Sequence, residues 1–508
     1  MKKLPIGIQD FKKLVEGDYI YVDKTKFIYE LASSSTPYFI SRPRRFGKSL
    51  TVSTFFYLFK GEKELFEGTY IYDKWEWKEY PVIKISMTEI NSTDAYSVER
   101  TLLLKLERIY EEYGLKVRTD DIVVRFSDLV YELSKREKVV ILIDEYDKPI
   151  LDHIMEPEIA KKVREILRLF YSTIKDLDPY LRFVFITGIS KFTKAGIFSS
   201  LNNLNDITID REYSQMMGYT QEELERYFEG YINKVSEELR ATRDELLEKI
   251  KHYYNGFSFD GENFVYNPFS ILNFFSKRRF DNYWFESGAP SFLVEYIREN
   301  KVKIDDIIGE YVNSYDLTTY EIENAPPSIF FVQSGYLTFK DRNEKKGYLL
   351  DFPNKEVKDS FSKLIMLGTY GLENKIVNDI RDNIIDGLEA RDFGKVFEEL
   401  KRLFTMIPYN LFGDSESYYH SVILTLLYAC GLDVKAEEVT NLGRSDIVLE
   451  YGEDVYVIEL KKATVEECIR QIKEKGYYEK YVGRKVNLVG IAIDEEKRNL
   501  GEYSIERI

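Results

Sequence analysis

The chain has 508 residues and needs more than one core, because single domains usually run to about 100–200 residues. It is 44% apolar, 15% aromatic and 31% charged, which excludes a disordered, collagen-like or low-complexity protein. The net charge of −15, from 72 Lys+Arg against 87 Asp+Glu, excludes a chain-wide basic field for nucleic acid and leaves only a local basic patch.

The N-terminus passes from Lys2 and Lys3 to Gln9 and Asp10 with no apolar stretch between them. No signal segment is expected, and a cytoplasmic protein is. Over the first 215 residues or so, short apolar runs alternate with longer amphipathic ones. Pro37–Ser41, Pro81–Ser86, Lys138–Asp144, Leu181–Thr187 and Asp206–Asp210 read as strands, with helix-length segments between them. That alternation predicts a parallel sheet with crossover helices.

The first strand runs into SRPRRFGKSL, Ser41 to Leu50. Gly47-Lys48-Ser49 between a strand and a helix suits a nucleotide phosphate site: backbone N–H groups and a helix N-terminus face the anion, Lys48 reaches the phosphates, and the Ser49 hydroxyl can ligate Mg²⁺. Arg42 stands where the usual motif begins with glycine, and Pro43 removes a backbone donor. The tripeptide alone is weak evidence, since a solvated loop lysine would look the same. Arg42, Arg44, Arg45 and Lys48 place four cations within seven residues that can meet phosphate oxygens or simply face water.

The third strand supplies the partner motif. In KVVILIDEYD an apolar run ends in Asp144 and Glu145, and ionised carboxylates resist burial unless paired or metal-linked. At the C-terminal edge of a parallel sheet, Asp144 could hold the Mg²⁺ and Glu145 could polarise the attacking water. Thr187 ends the next strand where a polar group could sense the γ-phosphate. Pro81–Ser86, between the two motifs, fits the P-loop branch in which a further strand separates the motif strands.

From about Tyr219 the pattern turns mostly helical, with Glu222–Glu238, Ala241–Tyr254, Pro268–Phe275 and Phe292–Glu299 as helices. From about Gly387 a third unit follows in the order helix, helix, strand, strand, helix, strand. The expected domains are 1–215, 216–385 and 386–508. No apolar run approaches the ~20 residues that cross a bilayer. Two cysteines and three histidines make a disulfide framework, a zinc site or a multi-His centre untenable, so a metal is expected on oxygen ligands, as magnesium or manganese is.

In the third unit, NLGRSDIVLEYGEDVYVIEL precedes Lys461 and reads as a hairpin. Glu459 and Lys461, two apart on a strand, point to one side, and Asp446 on the adjacent strand faces them. Two carboxylates can hold Mg²⁺ while the lysine helps to ionise the attacking water. This is the D…ExK arrangement of phosphodiester-cleaving nucleases, although a surface hairpin with one cross-strand ion pair would share the pattern. Glu416 and His420 lie one turn apart on the preceding helix, and Gln471, Lys475 and Tyr478 lie on one side of the following one.

These segments, with YVDKTKFI (Tyr21–Ile28), TGISKFTKAGIFSSLNNLNDIT (Thr187–Thr208), YNGFSF (Tyr254–Phe259), YNPFSILNFF (Tyr266–Phe275), YWFESG (Tyr283–Gly288) and PNKEV (Pro353–Val357), make the chain resemble predicted AAA-ATPase-like proteins fused to a C-terminal PD-(D/E)XK nuclease-superfamily domain. The resemblance implies a P-loop α/β ATPase domain, a mostly helical middle domain of helical or winged-helix type, and a mixed α/β restriction-endonuclease-like domain. It implies ATP and Mg²⁺, or Mn²⁺ at the nuclease site. Gly47, Lys48, Ser49, Asp144 and Glu145 become nucleotide-handling residues, and Glu416, Asp446, Glu459, Lys461 and Gln471 the nuclease core. Ser445 replaces the proline of the superfamily name. The expected function is an ATP-regulated, Mg²⁺-dependent nuclease with nucleic acid as partner, DNA ahead of RNA, and homo-oligomerisation left open. The alternative is an ATP-driven switch whose C-terminal domain binds nucleic acid without cutting it. Arg211 is weighed as an arginine finger against an ordinary ion pair.

Overall fold

The structure, a computed structural model, describes residues 1–190, 198, 201, 203–288, 292–319, 326–440, 443–476, 478–481 and 483–508, leaving out the side chains of 286–288, 318–319, 437–440 and 443–446. It divides into two compact units, one of Met1–Gly288 with Gly309–Asn354 and one of Ala289–Ile308 with Lys355–Ile508. No helix among the described residues is long and apolar enough to cross a membrane.

In the first unit, β1 (Tyr38–Ser41), β2 (Val82–Ser86), β3 (Val139–Asp144), β4 (Leu181–Gly188) and β5 (Asn205–Asp206) form a parallel sheet in the order β2-β3-β4-β1-β5. Helices such as Lys48–Phe59 and Ile122–Ser134 pack against it. Every residue of β3 is buried, as its unbroken apolar run requires when both faces are covered. The strand that separates the motif strands β1 and β3 is β4, not Pro81–Ser86, which forms the edge strand β2. Order along the chain does not set order in a parallel sheet, because each crossover can place the next strand on either side. The last strand is shorter than Asp206–Asp210: Ile207 N–H still reaches Phe39 O at 2.9 Å, and then Asp210 caps a 3-10 turn through Glu212 N–H.

The stretch read as one helix over Glu222–Glu238 is two, Gln221–Tyr227 and Glu229–Leu239, hinged at the buried Phe228. Capping boxes at Thr220/Glu223 and Thr242/Glu245 start two of these helices. Among them run a short ladder of β6 (Phe257–Ser258) and β7 (Phe264–Val265) and an antiparallel sheet of β8 (Tyr311–Val312), β9 (Thr338–Asn343) and β10 (Gly347–Asp351).

The second unit holds the sheet β11 (Asp433–Thr440), β12 (Gly443–Tyr451), β13 (Asp454–Lys461), β14 (Lys485–Asp494) and β15 (Asn499–Arg507), in that order. Only the β13–β14 pair is parallel, and the helix Val465–Lys475 makes its crossover. The edge strands β11 and β15 are absent from the sequence reading. Edges carry charge against unwanted pairing, and DVKAEEVT and NLGEYSIER accordingly lack the apolar run that marks a buried strand.

Candidate functional site

The phosphate loop leaves β1 at Ser41, and Arg42 N–H continues the β1–β4 ladder to Gly188 O at 3.0 Å. Arg45 (φ 67°) and Gly47 (φ 91°) turn the backbone through the left-handed region, and Gly47 is the N-cap of the helix Lys48–Phe59. Lys48 is 3% exposed. Its ammonium donates to Arg42 O at 2.9 Å and Pro43 O at 3.0 Å, so the loop curls around its own lysine. Burial pulls the Lys48 pKa down against the opposing pull of Glu145, Asp144 and Asp147.

The Arg42 side chain explains the loop's departure from the usual motif. Its buried guanidinium donates to Ser41 O and Thr208 O at 2.8 Å and to Tyr213 O at 3.0 Å. It lies 3.9 Å from the centre of the Phe259 ring. Burial pushes its pKa down to about 9. Arg42 keeps a negative φ, so this position does not need glycine.

Asp144 ends β3 and accepts from the Thr187 hydroxyl at 2.7 Å. The same hydroxyl accepts from Glu145 N–H at 3.2 Å, so Thr187 ties both acids to β4. Glu145 sits at φ 53°, a conformation that costs a non-glycine residue about 1–2 kcal/mol. Sequence reasoning passed over Asp147. Its buried carboxylate accepts from Ile189 N–H at 3.0 Å and from Ser190 N–H and Oγ–H at 2.6 Å, and burial raises its pKa. The only signal for it was the second aspartate of DEYD.

A cavity of about 380 Å³ opens on the loop, within the range of small-ligand sites. Arg44, Arg45, Gly47, Lys48, Ser49 and Glu145 form its polar wall, and Ile8, Ile20, Val22, Met217 and Phe269 an apolar one. A charged end beside an apolar end suits a nucleotide, phosphates to one side and base to the other. The apolar wall escaped the sequence reading because its parts lie far apart along the chain. Arg211 is exposed and pairs with Glu262 at 3.1 Å.

In the second unit, β13 carries Glu459 and Lys461, and the helix Val465–Lys475 carries Gln471. The Glu459 side chain is buried. The Gln471 amide donates to Glu459 Oε1 and its oxygen accepts from Lys461 Nζ, while Lys461 Nζ lies 3.8 Å from Glu459 Oε1. Glu416 opens the helix Glu416–Ala429 and accepts from Lys462 N–H at 2.7 Å. The four residues therefore converge on the end of β13. Asp446 belongs to β12, one residue before the Ile447–Ile458 pair with β13, and its side chain lies outside the described residues. Among those described, no group of three or more His, Cys, Asp or Glu stands ready for a metal. The oxygen donors present, Glu459 here and Ser49 with Asp144 at the loop, fit a hard divalent cation.

A family model described as predicted AAA-ATPase matches residues 5–198, and one described as PD-(D/E)XK nuclease superfamily matches 414–503. A curated relative from Azotobacter chroococcum mcd 1, described as an uncharacterized protein in the vnfD 5′ region, is 36% identical over 524 residues, covering 100% of this chain and 99% of its own. A solved structure of a DNA replication initiation factor covers 80% of this chain and 98% of its own at 12% identity, with a TM-score of 0.24, too low to support an inference. With the phosphate loop, the acid pair and the Glu459–Lys461–Gln471 cluster in place, the chain belongs to the family of predicted AAA-ATPase-like proteins that carry a PD-(D/E)XK nuclease-superfamily domain at the C-terminus.

Proposed function

We propose that the protein binds ATP through its phosphate loop and is an ATP-regulated, Mg²⁺-dependent nuclease that cuts nucleic acid, DNA ahead of RNA. In this reading Lys48, Arg44 and Arg45 meet the phosphates, Ser49 and Asp144 would hold Mg²⁺, and Glu145 orients the attacking water. Thr187 keeps the two acids in register. Asp446 and Glu459 would hold the cation at the nuclease site. A bound Mg²⁺ or Mn²⁺ supplies positive charge to the phosphate and lowers the pKa of its water. Lys461, carried on Gln471, steadies negative charge on the phosphate, and Glu416 braces the end of β13 through Lys462 N–H.

The observation that carries the nuclease reading is the Gln471 amide bridging Glu459 and Lys461. An ordinary cross-strand ion pair does not recruit a glutamine from a separate helix. The test is cleavage of plasmid, linear and single-stranded DNA and of RNA with Mg²⁺ or Mn²⁺, with and without ATP, wild type beside Lys461→Ala. Metal-dependent cleavage lost in the variant supports the nuclease, and its response to ATP measures the regulation. ATP binding without cleavage of any substrate supports a nucleotide switch instead.

A further inference from the structure

Five consecutive residues of the phosphate loop are each gripped by a distant part of the chain. The Arg42 guanidinium lies over the Phe259 ring, 3.9 Å from its centre. Pro43 abuts Gly335 so closely that a Cβ there would come within 2.5 Å of Pro43 Cβ. The Arg44 carbonyl accepts from the Trp284 indole N–H at 2.9 Å. Arg45 stands 4.9 Å from the centre of the Phe269 ring. Phe46 meets Phe257 and Phe259 edge-on, with centroids 4.9 and 5.6 Å apart. All of these residues belong to one compact unit.

Phosphate chemistry requires none of these contacts. What a phosphate needs from such a loop is a set of converging N–H groups. In a planar trans peptide the C=O and the N–H point in opposite directions. A donor fixed on Arg44 O therefore aims the N–H of Arg45 the other way, away from the indole. The donor is itself held: the Trp284 ring packs on Phe257 and Tyr336, with centroids 5.8 and 5.5 Å apart. Through its nitrogen this aromatic group reaches the Arg44 carbonyl. The motifs YNGFSF and YWFESG, which the nucleotide site itself leaves unexplained, supply Phe257, Phe259 and Trp284.

We propose that Trp284 is a positioning residue for nucleotide binding, which sets the phosphate loop's affinity by holding the Arg44–Arg45 peptide in its anion-facing orientation. The proposal rests on the nucleotide-site reading above. Trp284→Phe keeps an aromatic ring in the cluster and removes the indole N–H. In the full-length chain it is expected to weaken ADP and ATP binding roughly threefold to tenfold, the loss of about one hydrogen bond, in a chain that still folds although its ligand-free melting temperature falls. A folded Trp284→Phe chain that binds ADP as tightly as wild type would overturn the proposal. Should the variant not fold, hydrogen exchange on the wild type decides. ADP should protect the amides of residues 257–259 and 283–285 along with those of 44–49. Protection confined to 44–49 would refute the coupling. Wild type that binds neither ADP nor ATP would remove the underlying reading, and this proposal with it.

Discussion

Lys48 and Lys461 use the same ammonium in opposite ways. Lys48 is buried and spends its protons on loop carbonyls. Lys461 is half-buried and leans on the Gln471 amide. Lys48→Ala is expected to abolish nucleotide binding, read by calorimetry, while leaving nuclease-site geometry intact. Gln471→Ala should lower cleavage by roughly tenfold to a hundredfold by releasing Lys461 and Glu459, on the scale of losing a side chain that orients others in a site, as a plasmid-nicking assay would reveal. His153 offers a pH test. Its Nδ1 faces the Glu156 carboxylate at 2.8 Å and its Nε2 the Ser92 carbonyl. Two acceptors on one ring favour the doubly protonated imidazolium. Asp152, Asp94 and Lys148 lie nearby, Lys148 paired with Asp152. Burial lowers the His153 pKa, but the Ser92 and Glu156 bonds outweigh it and the net shift is upward from 6.5. The stabilisation is therefore complete below pH 6.5 and fades as pH rises through the folded value. Unfolding measured from pH 6 to 9 should show wild type losing its advantage over His153→Gln; a constant difference would remove the imidazolium assignment.

At the scale of the element, close approaches decide which substitutions the sheet edges tolerate. Gly188 ends β4 where a Cβ would lie 2.3 Å from the Tyr146 ring. That ring is buried and its hydroxyl donates to Ser190 O at 3.1 Å, so it cannot swing aside. Gly188→Ala should cost about 1–3 kcal/mol, as overpacking does, and should shift the Thr187 hydroxyl that ties Asp144 to Glu145. Denaturant unfolding measures the first effect and nucleotide turnover the second. β3 was legible because a strand covered on both faces is apolar up to the end, here Val139–Ile143 ahead of Asp144. β11 and β15 were not, since an edge strand earns its place by pairing and its charges mimic a loop. The register of β12 on β13 likewise follows from pairing, whereas the Glu459-x-Lys461 spacing follows from the chain alone.

For the whole molecule, the two proposed phosphate-chemistry sites on one chain predict separable ligand effects. Nucleotide at 100 times its dissociation constant should stabilise the unit that binds it by about 2.7 kcal/mol. The shift should vanish in Lys48→Ala and persist in Lys461→Ala, as a thermal melt can follow; a shift lost in both would tie the sites into one folding unit. Local physics made much of this readable from sequence. A Gly-Lys-Ser after an apolar strand, an acid pair ending another, and an acid and lysine two residues apart are spacings that the backbone itself converts into geometry. The tertiary structure decided what depends on distant segments meeting. It placed β4 rather than β2 between the motif strands, gave Arg42 three carbonyls in place of a phosphate, and brought Phe257, Phe259, Trp284 and Gly335 against the loop. The contacts of Phe257, Phe259, Trp284 and Gly335 with the loop join residues some 210–290 positions apart, and no local pattern in a chain encodes which remote segment will close over it.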